Sequence, residues 1–392
     1  MNILFNAQSL NPPLTGIGNY TYQLMRHLRH LDDIEDIECF DGPSFYSLEE
    51  ALARCEPSAT TLSRIPATPA WPRLRSLLRR VPLAYQTRAW LQGLQLRRKT
   101  ARLQNYLYHE PNFILQPHKG PCVTTIHDLS FVHYPQYHPT ERVSWMSSQL
   151  EKSLARADMI ITPAELIRQE LINDYGIPGE KIRAIYHGVL DCFQPQTAEQ
   201  TRSVLERHGL QHGHYLLFVA TLEPRKGIDV LLDAWSSLPE ALRQEWPLVL
   251  AGAPGWKNQP LLDRIQQLGE RCGLHHLNFV PPAELPALYA GASLFVYPSI
   301  YEGFGLPVLE AMSSGVATIS TAETTMAEFA GNSIALIERD NREQLTELLR
   351  QLLENPAQRG TLAQAGLQRA RHFSWEKCAR ETAAVYQQIA PC

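Results

Sequence analysis

Short apolar runs recur along this chain, and most are followed by a stretch with helical periodicity. NILFN (2–6) precedes GNYTYQLMRHLRHL, CVTTI (122–126) precedes a helical pattern near 139–156, and MIIT (159–162) precedes AELIRQELINDYG. Parallel strands need a crossover, usually a helix, so alternation of this kind builds parallel sheets covered by helices. The pattern breaks at YHGVLDCFQPQTAEQ (186–200) and restarts with HYLLFVATL (214–222), PLVLAG (247–252), LNFVP (277–281), LFVYPS (294–299), VATIST (316–321) and IALIE (334–338). Two doubly wound α/β domains are expected, 1–187 and 188–372, since 392 residues exceed what one core usually organises. FSWEKCARETAAVYQQIA (373–390) reads as a further helix with Ser374 at its N-cap.

Charge and composition narrow the class. A formal net charge of −4 offers no general affinity for nucleic acid. MNILFNAQSLNPP lacks the basic and apolar parts of a signal peptide, and no run reaches the ~20 apolar residues of a membrane-spanning helix. The cytoplasm is the expected compartment. Seven cysteines (39, 55, 122, 192, 272, 378 and 392) show no CxxC spacing and read as reduced packing residues. From Pro57 to His109 there is no Asp or Glu but ten Arg or Lys, with Trp71, Trp90 and many Leu. This cationic block suits either anionic lipid headgroups, at about 1 kcal/mol per basic residue, or the solvated faces of ordinary helices.

YPSIYEGFGLPVLEAMSSG (297–315) concentrates the chemistry. Pro298 ends a strand, so Ser299 to Gly305 form the loop at its carboxyl end, the edge where open α/β sheets bind ligands. Pro307 suits the first position of a helix over about 307–314, and Gly315 its C′ position. Gly303 and Gly305 let backbone approach a ligand, and N–H groups near Leu306 to Leu309 offer a positive dipole end to an anion. Glu302 in the loop and Glu310 one turn into the helix then flank an anion site, an arrangement suited to the hydroxyls at either end of a sugar diphosphate. The plainer alternative is that Glu302 caps the loop and Glu310 is a solvated helix residue.

LNFVPPAELPALYAGASLFVYPSIYEGFGLPVLEAMSSGVATIST resembles the C-terminal domain of glycosyltransferase family 4, and the resemblance covers most of 120–385 plus the glycine loop near the N-terminus. It implies the GT-B fold, two Rossmann-like domains facing a central cleft, and sugar transfer with retention of anomeric configuration. By that resemblance Glu302 stands at the donor sugar and Glu310 at the nucleotide ribose, while Phe304, Gly305 and Leu306 present backbone to sugar and phosphate. TGIGNY (15–20) becomes the first domain's loop, with Gly16 and Gly18 facing the diphosphate or acceptor; alone, GxG is most often a tight turn. TLEPRKGIDVLLDAW (221–235) resembles the turn that clamps the leaving diphosphate with Lys226 and Arg225. Many members carry Arg where this chain has Thr221, which shifts more of that work to Arg225. His127, in TTIHDLSFVHYP, takes the family's place for a histidine on a donor-sugar hydroxyl, and His187 with Gly188 falls in the hinge segment.

The implied mechanism is leaving-group stabilisation and positioning, with front-face substitution and the departing phosphate taking the acceptor's proton. No metal or other cofactor is expected, because cations and a helix dipole take that role; DDIED (32–36), an acidic run, sits in an expected loop. The variants TLEPRKG and IHDL resemble the branch that builds bacterial O-antigen and exopolysaccharide. That implies a GDP-mannose or GDP-deoxysugar donor and a glycan or polyprenyl-diphosphate-linked acceptor, with the cationic 57–109 block at the inner face of the membrane. The segment 373–392 is expected to cross back to the first domain. A nucleotide-sugar epimerase and a catalytically silent binding protein are the rival readings.

Overall fold

The computed structural model describes residues 1–390 except 12–13, 43, 56–102, 104, 256–258 and 270–272. Among these residues the first domain holds a seven-stranded sheet. Its strands are β1 (Asn2–Asn6), β2 (Asp36–Phe40), β3 (Phe45–Ser47), β4 (Leu107–Glu110), β5 (Cys122–Thr125), β6 (Met159–Thr162) and β7 (Ile182–Ala184). The order is β3-β2-β1-β4-β5-β6-β7, parallel except for the β2–β3 pair. The second sheet comprises β8 (Leu216–Val219), β9 (Leu248–Ala251), β10 (Leu274–Leu277), β11 (Leu294–Tyr297), β12 (Ala317–Thr321) and β13 (Ala335–Ile337). It runs β10-β9-β8-β11-β12-β13 and is wholly parallel.

In each sheet the winding direction reverses once, between β1 and β4 and between β8 and β11. A crevice opens there because the loops leaving the two neighbouring strands turn to opposite faces. The two crevices meet: the loop after β11 packs against the segment after β5, where a Cβ added to Gly303 would lie 2.0 Å from the His127 carbonyl oxygen.

The chain crosses between the domains near Gly188 and again near Ser374, and the crossings touch. A Cβ on Gly188 would fall 2.1 Å from the Trp375 nitrogen, so only glycine lets the two segments pass. Ser374 caps the helix Trp375–Gln387 by accepting from Lys377 N. Trp375, Cys378, Ala379 and Tyr386 of that helix are buried in the core of the first sheet, beside Tyr20 and Leu24. Tyr386 OH lies 2.6 Å from Nδ1 of the fully buried His109.

Several elements depart from expectation. Of LNFVP only Leu277 is strand: β10 is LHHL, Leu274–Leu277, whose two histidines hide its strand pattern, and 278–281 is loop. β4 reads LYHE, a polar composition for a strand whose four residues are all buried. The ten cations of the 57–109 block lie outside the described residues, whereas its last three residues, Leu107, Tyr108 and His109, belong to β4 and are fully buried, not surface. Cys39, Cys122 and Cys378 are buried as expected, but Cys192 is exposed and packs no core. Asp36 of the acidic run begins β2 rather than a loop. Among the described residues no helix is long and apolar enough to cross a membrane.

Candidate active site

Two loops of the second domain are stitched together to build the site. The turn after β8 ends at Gly227 (φ 70°), where a Cβ would lie 2.0 Å from the Pro298 oxygen. Ile300 N donates to Arg225 O at 3.0 Å, and Ser299 Oγ lies 3.2 Å from the same oxygen, which holds this turn against the loop after β11. From the far side Thr325 Oγ1 lies 3.0 Å from the carbonyl oxygens of Glu302 and Phe304. Gly305 (φ 100°) closes the loop where a Cβ would meet Met326 at 2.4 Å.

Glu302 is the node of this construction. Its Oε1 accepts from Lys226 Nζ at 2.5 Å, Ser299 Oγ at 2.7 Å and Tyr297 OH at 2.9 Å. Oε2 accepts from Arg225 Nη1 at 3.3 Å, and that nitrogen also donates to Tyr301 O at 2.9 Å. Burial alone would raise the pKa of this carboxyl, but Lys226 and then Arg225 outweigh it and hold it at about 2. Lys226 is only 8% exposed, and desolvation lowers its pKa against the opposing pull of Glu302. Burial also opposes the charge on Arg225, yet Glu302, Asp128 and Glu223 raise its pKa, so the guanidinium stays charged. The cleft thus carries a fixed carboxylate with two cations, already desolvated and oriented before any ligand arrives.

The helix after this loop spans Leu306–Ser313, one residue earlier than expected, with Gly305 as its N-cap. Its free N–H groups are fewer than the sequence suggested. Pro307 has none, and those of Val308 and Leu309 turn back to Gly305 O at 3.0 and 3.4 Å, leaving Leu306 as the donor this turn does not use. Glu310 is half-buried, not solvated, and Tyr289 OH donates to its Oε2 at 2.8 Å. Burial raises its pKa to about 7 against the opposing effect of that bond. Phe304 is buried, its ring stacked on Phe329 at 4.7 Å, so only its backbone can meet a ligand. Leu306 packs against the cores of both domains.

Across the cleft, Gly16 begins the helix Gly16–Leu28, exposed and with open space where a Cβ would stand. Gly18 is different: a Cβ there would lie 2.7 Å from Ser9 O, so it serves the packing of the loop. His127 is 7% exposed and its Nε2 lies 2.8 Å from Pro111 O. A carbonyl only accepts, so Nε2 carries the proton. Burial lowers the ring's pKa, which leaves Nδ1 as a hydrogen-bond acceptor. His187 sits beside it, ringed by Tyr20, Phe304 and Trp375 at 4.7, 4.9 and 5.6 Å, and neither of its nitrogens has a partner. Thr221 is exposed just past β8, in the same turn as Arg225 and Lys226.

Sequence reasoning did not single out the residues that orient Glu302. Tyr297 and Ser299 are a strand residue and a loop serine whose partner is defined only once the loop folds. It also passed over Glu110, a 2%-exposed carboxyl under the first domain's crevice, bonded by Tyr108 OH at 2.6 Å and Asn6 Nδ2 at 2.7 Å. No apolar run announced this strand: LYHE carries three residues with polar groups, and its burial is defined only by the fold. On the other flank of the Glu302 loop, both domains line a cavity of about 500 Å³, a size that admits a small ligand. Among the described residues no cluster of His, Cys, Asp or Glu could hold a metal ion.

Comparison with known proteins bears on both domains. Residues 14–190 match the family model Glycosyltransferase Family 4, and 206–369 match Glycosyl transferases group 1. The O-antigen chain mannosyltransferase B of Escherichia coli is 33% identical over 390 residues, covering 99% of this chain and 100% of that one. A serotype-specific mannosyltransferase of Escherichia coli, WbdA, is 33% identical over 274 residues, 67% of this chain and 32% of that longer one. Among solved structures, WaaG, a glycosyltransferase involved in lipopolysaccharide biosynthesis, superposes with a TM-score of 0.68 at 16% identity, covering 98% of this chain and 99% of that one. Anabaena HepE in complex with UDP and glucose gives 0.67 at 17% identity, with 99% of each chain covered.

Proposed function

The chain belongs to glycosyltransferase family 4 and has the GT-B fold, and from that premise we propose that it moves mannose, or a related deoxysugar, from a GDP donor to a hydroxyl of a growing surface glycan. The observation that carries this reading is the Glu302–Lys226–Arg225 constellation on the crevice of the second sheet. The full-length likeness to an O-antigen chain mannosyltransferase supports the sugar and the glycan acceptor.

In this reading the donor diphosphate lies along Lys226, Arg225 and the Leu306 N–H. Charge that develops on the leaving diphosphate meets cations already desolvated in place, so little reorganisation is needed. Glu302 accepts from sugar hydroxyls, and His127 Nδ1 accepts from another across the cleft. Gly16 leaves backbone room for the diphosphate or the acceptor. Both oxygens of Glu302 are already engaged, Oε1 by Lys226, Ser299 and Tyr297 and Oε2 by Arg225, which supports front-face substitution over a covalent intermediate on this carboxylate. The acceptor hydroxyl then adds from the face the diphosphate leaves, and its proton goes to the departing phosphate.

No metal is required, since Lys226 and Arg225 supply the positive charge. The test is to incubate the protein with GDP-mannose and other nucleotide sugars, with and without EDTA, and follow nucleoside diphosphate release. Release from a GDP-sugar, unchanged by EDTA, is expected; loss of activity on chelation would show that a metal takes part.

In the same reading Glu310 accepts from the ribose hydroxyls, and its pKa, raised by burial to about 7, gives that role a pH dependence. As pH falls from about 8 to about 6 the carboxylate takes up a proton and loses acceptor capacity, so KM for the donor should rise by up to about tenfold. In Glu310→Gln, KM should be high throughout and nearly flat over that range. A pH-independent KM in the wild type would remove Glu310 from the ribose.

A further inference from the structure

The helix Glu165–Tyr175 of the first domain begins at Ala164, which has no side chain able to cap it. The helices that begin after Thr15, Ser47, Thr197, Asn341 and Ser374 are capped by those residues' own side chains. Here the cap comes from the other domain. Glu328, on the helix Thr325–Ala330, accepts from Glu165 N and Leu166 N at 2.7 Å each, and Tyr186 OH donates to its Oε1 at 2.7 Å. A carboxylate at a helix N-terminus meets both unpaired N–H groups and the positive end of the dipole.

The same short helix holds the catalytic loop. Thr325 and Glu328 are three residues apart, hence on one face of it. Thr325 clips the Glu302 and Phe304 carbonyls, while Glu328 caps the opposite domain. Beside this contact Ile300 and Tyr301 pack on Ala164 and Ile167, and Tyr301 OH accepts from Leu129 N at 2.9 Å and donates to Glu170 at 2.6 Å. Docking of the two domains and placement of Glu302 therefore share one rigid turn.

We propose that Glu328 is a positioning residue for sugar transfer: by capping the helix of the opposite domain it holds the cleft closed, and through Thr325 it sets Glu302 opposite His127. This rests on the reading of the cleft as the donor site. It assigns Glu328 no contact with the reacting atoms. A loss at this position should therefore fall on the rate of transfer and not on nucleotide affinity, because the nucleotide is expected to bind chiefly to the second domain.

The test compares full-length wild type, Glu328→Ala, Glu328→Gln and Tyr186→Phe by small-angle scattering, GDP titration and transfer rate, with thermal melting as a control on folding. Both Glu328 variants should give a larger radius of gyration and a kcat lower by about 10- to 100-fold, with GDP affinity within about threefold of wild type. Gln should not rescue, because its NH2 would face a backbone N–H. Tyr186→Phe, which removes one of three donors, should fall between. An unchanged radius with unchanged kcat would overturn the proposal, as would a parallel fall in GDP affinity and melting temperature, the mark of a purely structural role. Scattering needs no substrate, so a wild type that failed to bind GDP would refute the donor reading while the scattering comparison still decided the fate of Glu328.

Discussion

Glu302→Gln is expected to lower the rate of sugar transfer by roughly two to three orders of magnitude and to lower stability at neutral pH. The substitution keeps the shape of the side chain but removes the charge that keeps Lys226 and Arg225 in place at 2.5 and 3.3 Å. Lys226, already pushed below its ordinary pKa by burial, loses the partner that opposes that shift. The cation that the proposed reading sets against the leaving diphosphate is then displaced or discharged. Breaking a buried ion pair typically costs about 3–5 kcal/mol, because a desolvated charge is left behind.

The sign of the accompanying pH effect follows from the depressed carboxyl. Its stabilising contribution is present above the ordinary value of 4.5 and is lost as pH falls towards about 2. The gap between those values corresponds to about 3 kcal/mol for the carboxyl alone. Lys226, whose lowered pKa acts in the opposite direction, reduces the net figure for the pair. Thermal melts recorded from pH 6 down to pH 3 should show the wild type losing more stability than Glu302→Gln. A variant with near-wild-type transfer and an unchanged acid limb would remove Glu302 from the centre of the site.

Gly303→Ala is expected to cost about 100-fold in kcat while leaving both domains folded. The new Cβ would sit 2.0 Å from the His127 carbonyl oxygen, and its next neighbours include the His127 carbonyl carbon at 2.9 Å. No side-chain rotation relieves a clash with backbone, so the Glu302 loop and the segment after β5 must separate by about 1 Å, a displacement that costs about 100-fold when it moves reacting groups apart. GDP binding should persist, because Lys226, Arg225 and Glu310 all belong to the second domain. A Gly303→Ala protein with wild-type kcat would show that the two loops need not meet for transfer.

The two-domain architecture was legible because parallel strands buried on both faces read as continuous apolar runs, as in MIIT and LFVY. β4 was not, because LYHE hides a buried His and Glu whose partners, Tyr386 and Asn6, lie in distant parts of the chain. The loop from Pro298 to Gly305 was legible through its turn residues: Pro298, Gly305, Pro307 and Gly315 each mark a backbone requirement. What the spacing could not supply was occupancy. It placed free N–H groups at Val308 and Leu309, which the first turn uses itself, and it assigned Gly303 to a ligand when its missing Cβ admits the His127 carbonyl. Glu328 was illegible for the same reason, since the helix it caps begins 163 residues away.

The most direct measurement of the central claim, that this cleft discharges a nucleotide sugar through Lys226, is nucleoside diphosphate release from a panel of nucleotide sugars by wild type and Lys226→Met. GDP release from GDP-mannose or a related GDP-sugar is expected of the wild type, with GDP still bound but release reduced by about 100-fold or more in the variant. Equal release by the two proteins, or a wild type that neither binds nor discharges any nucleotide sugar of the panel, would contradict the claim.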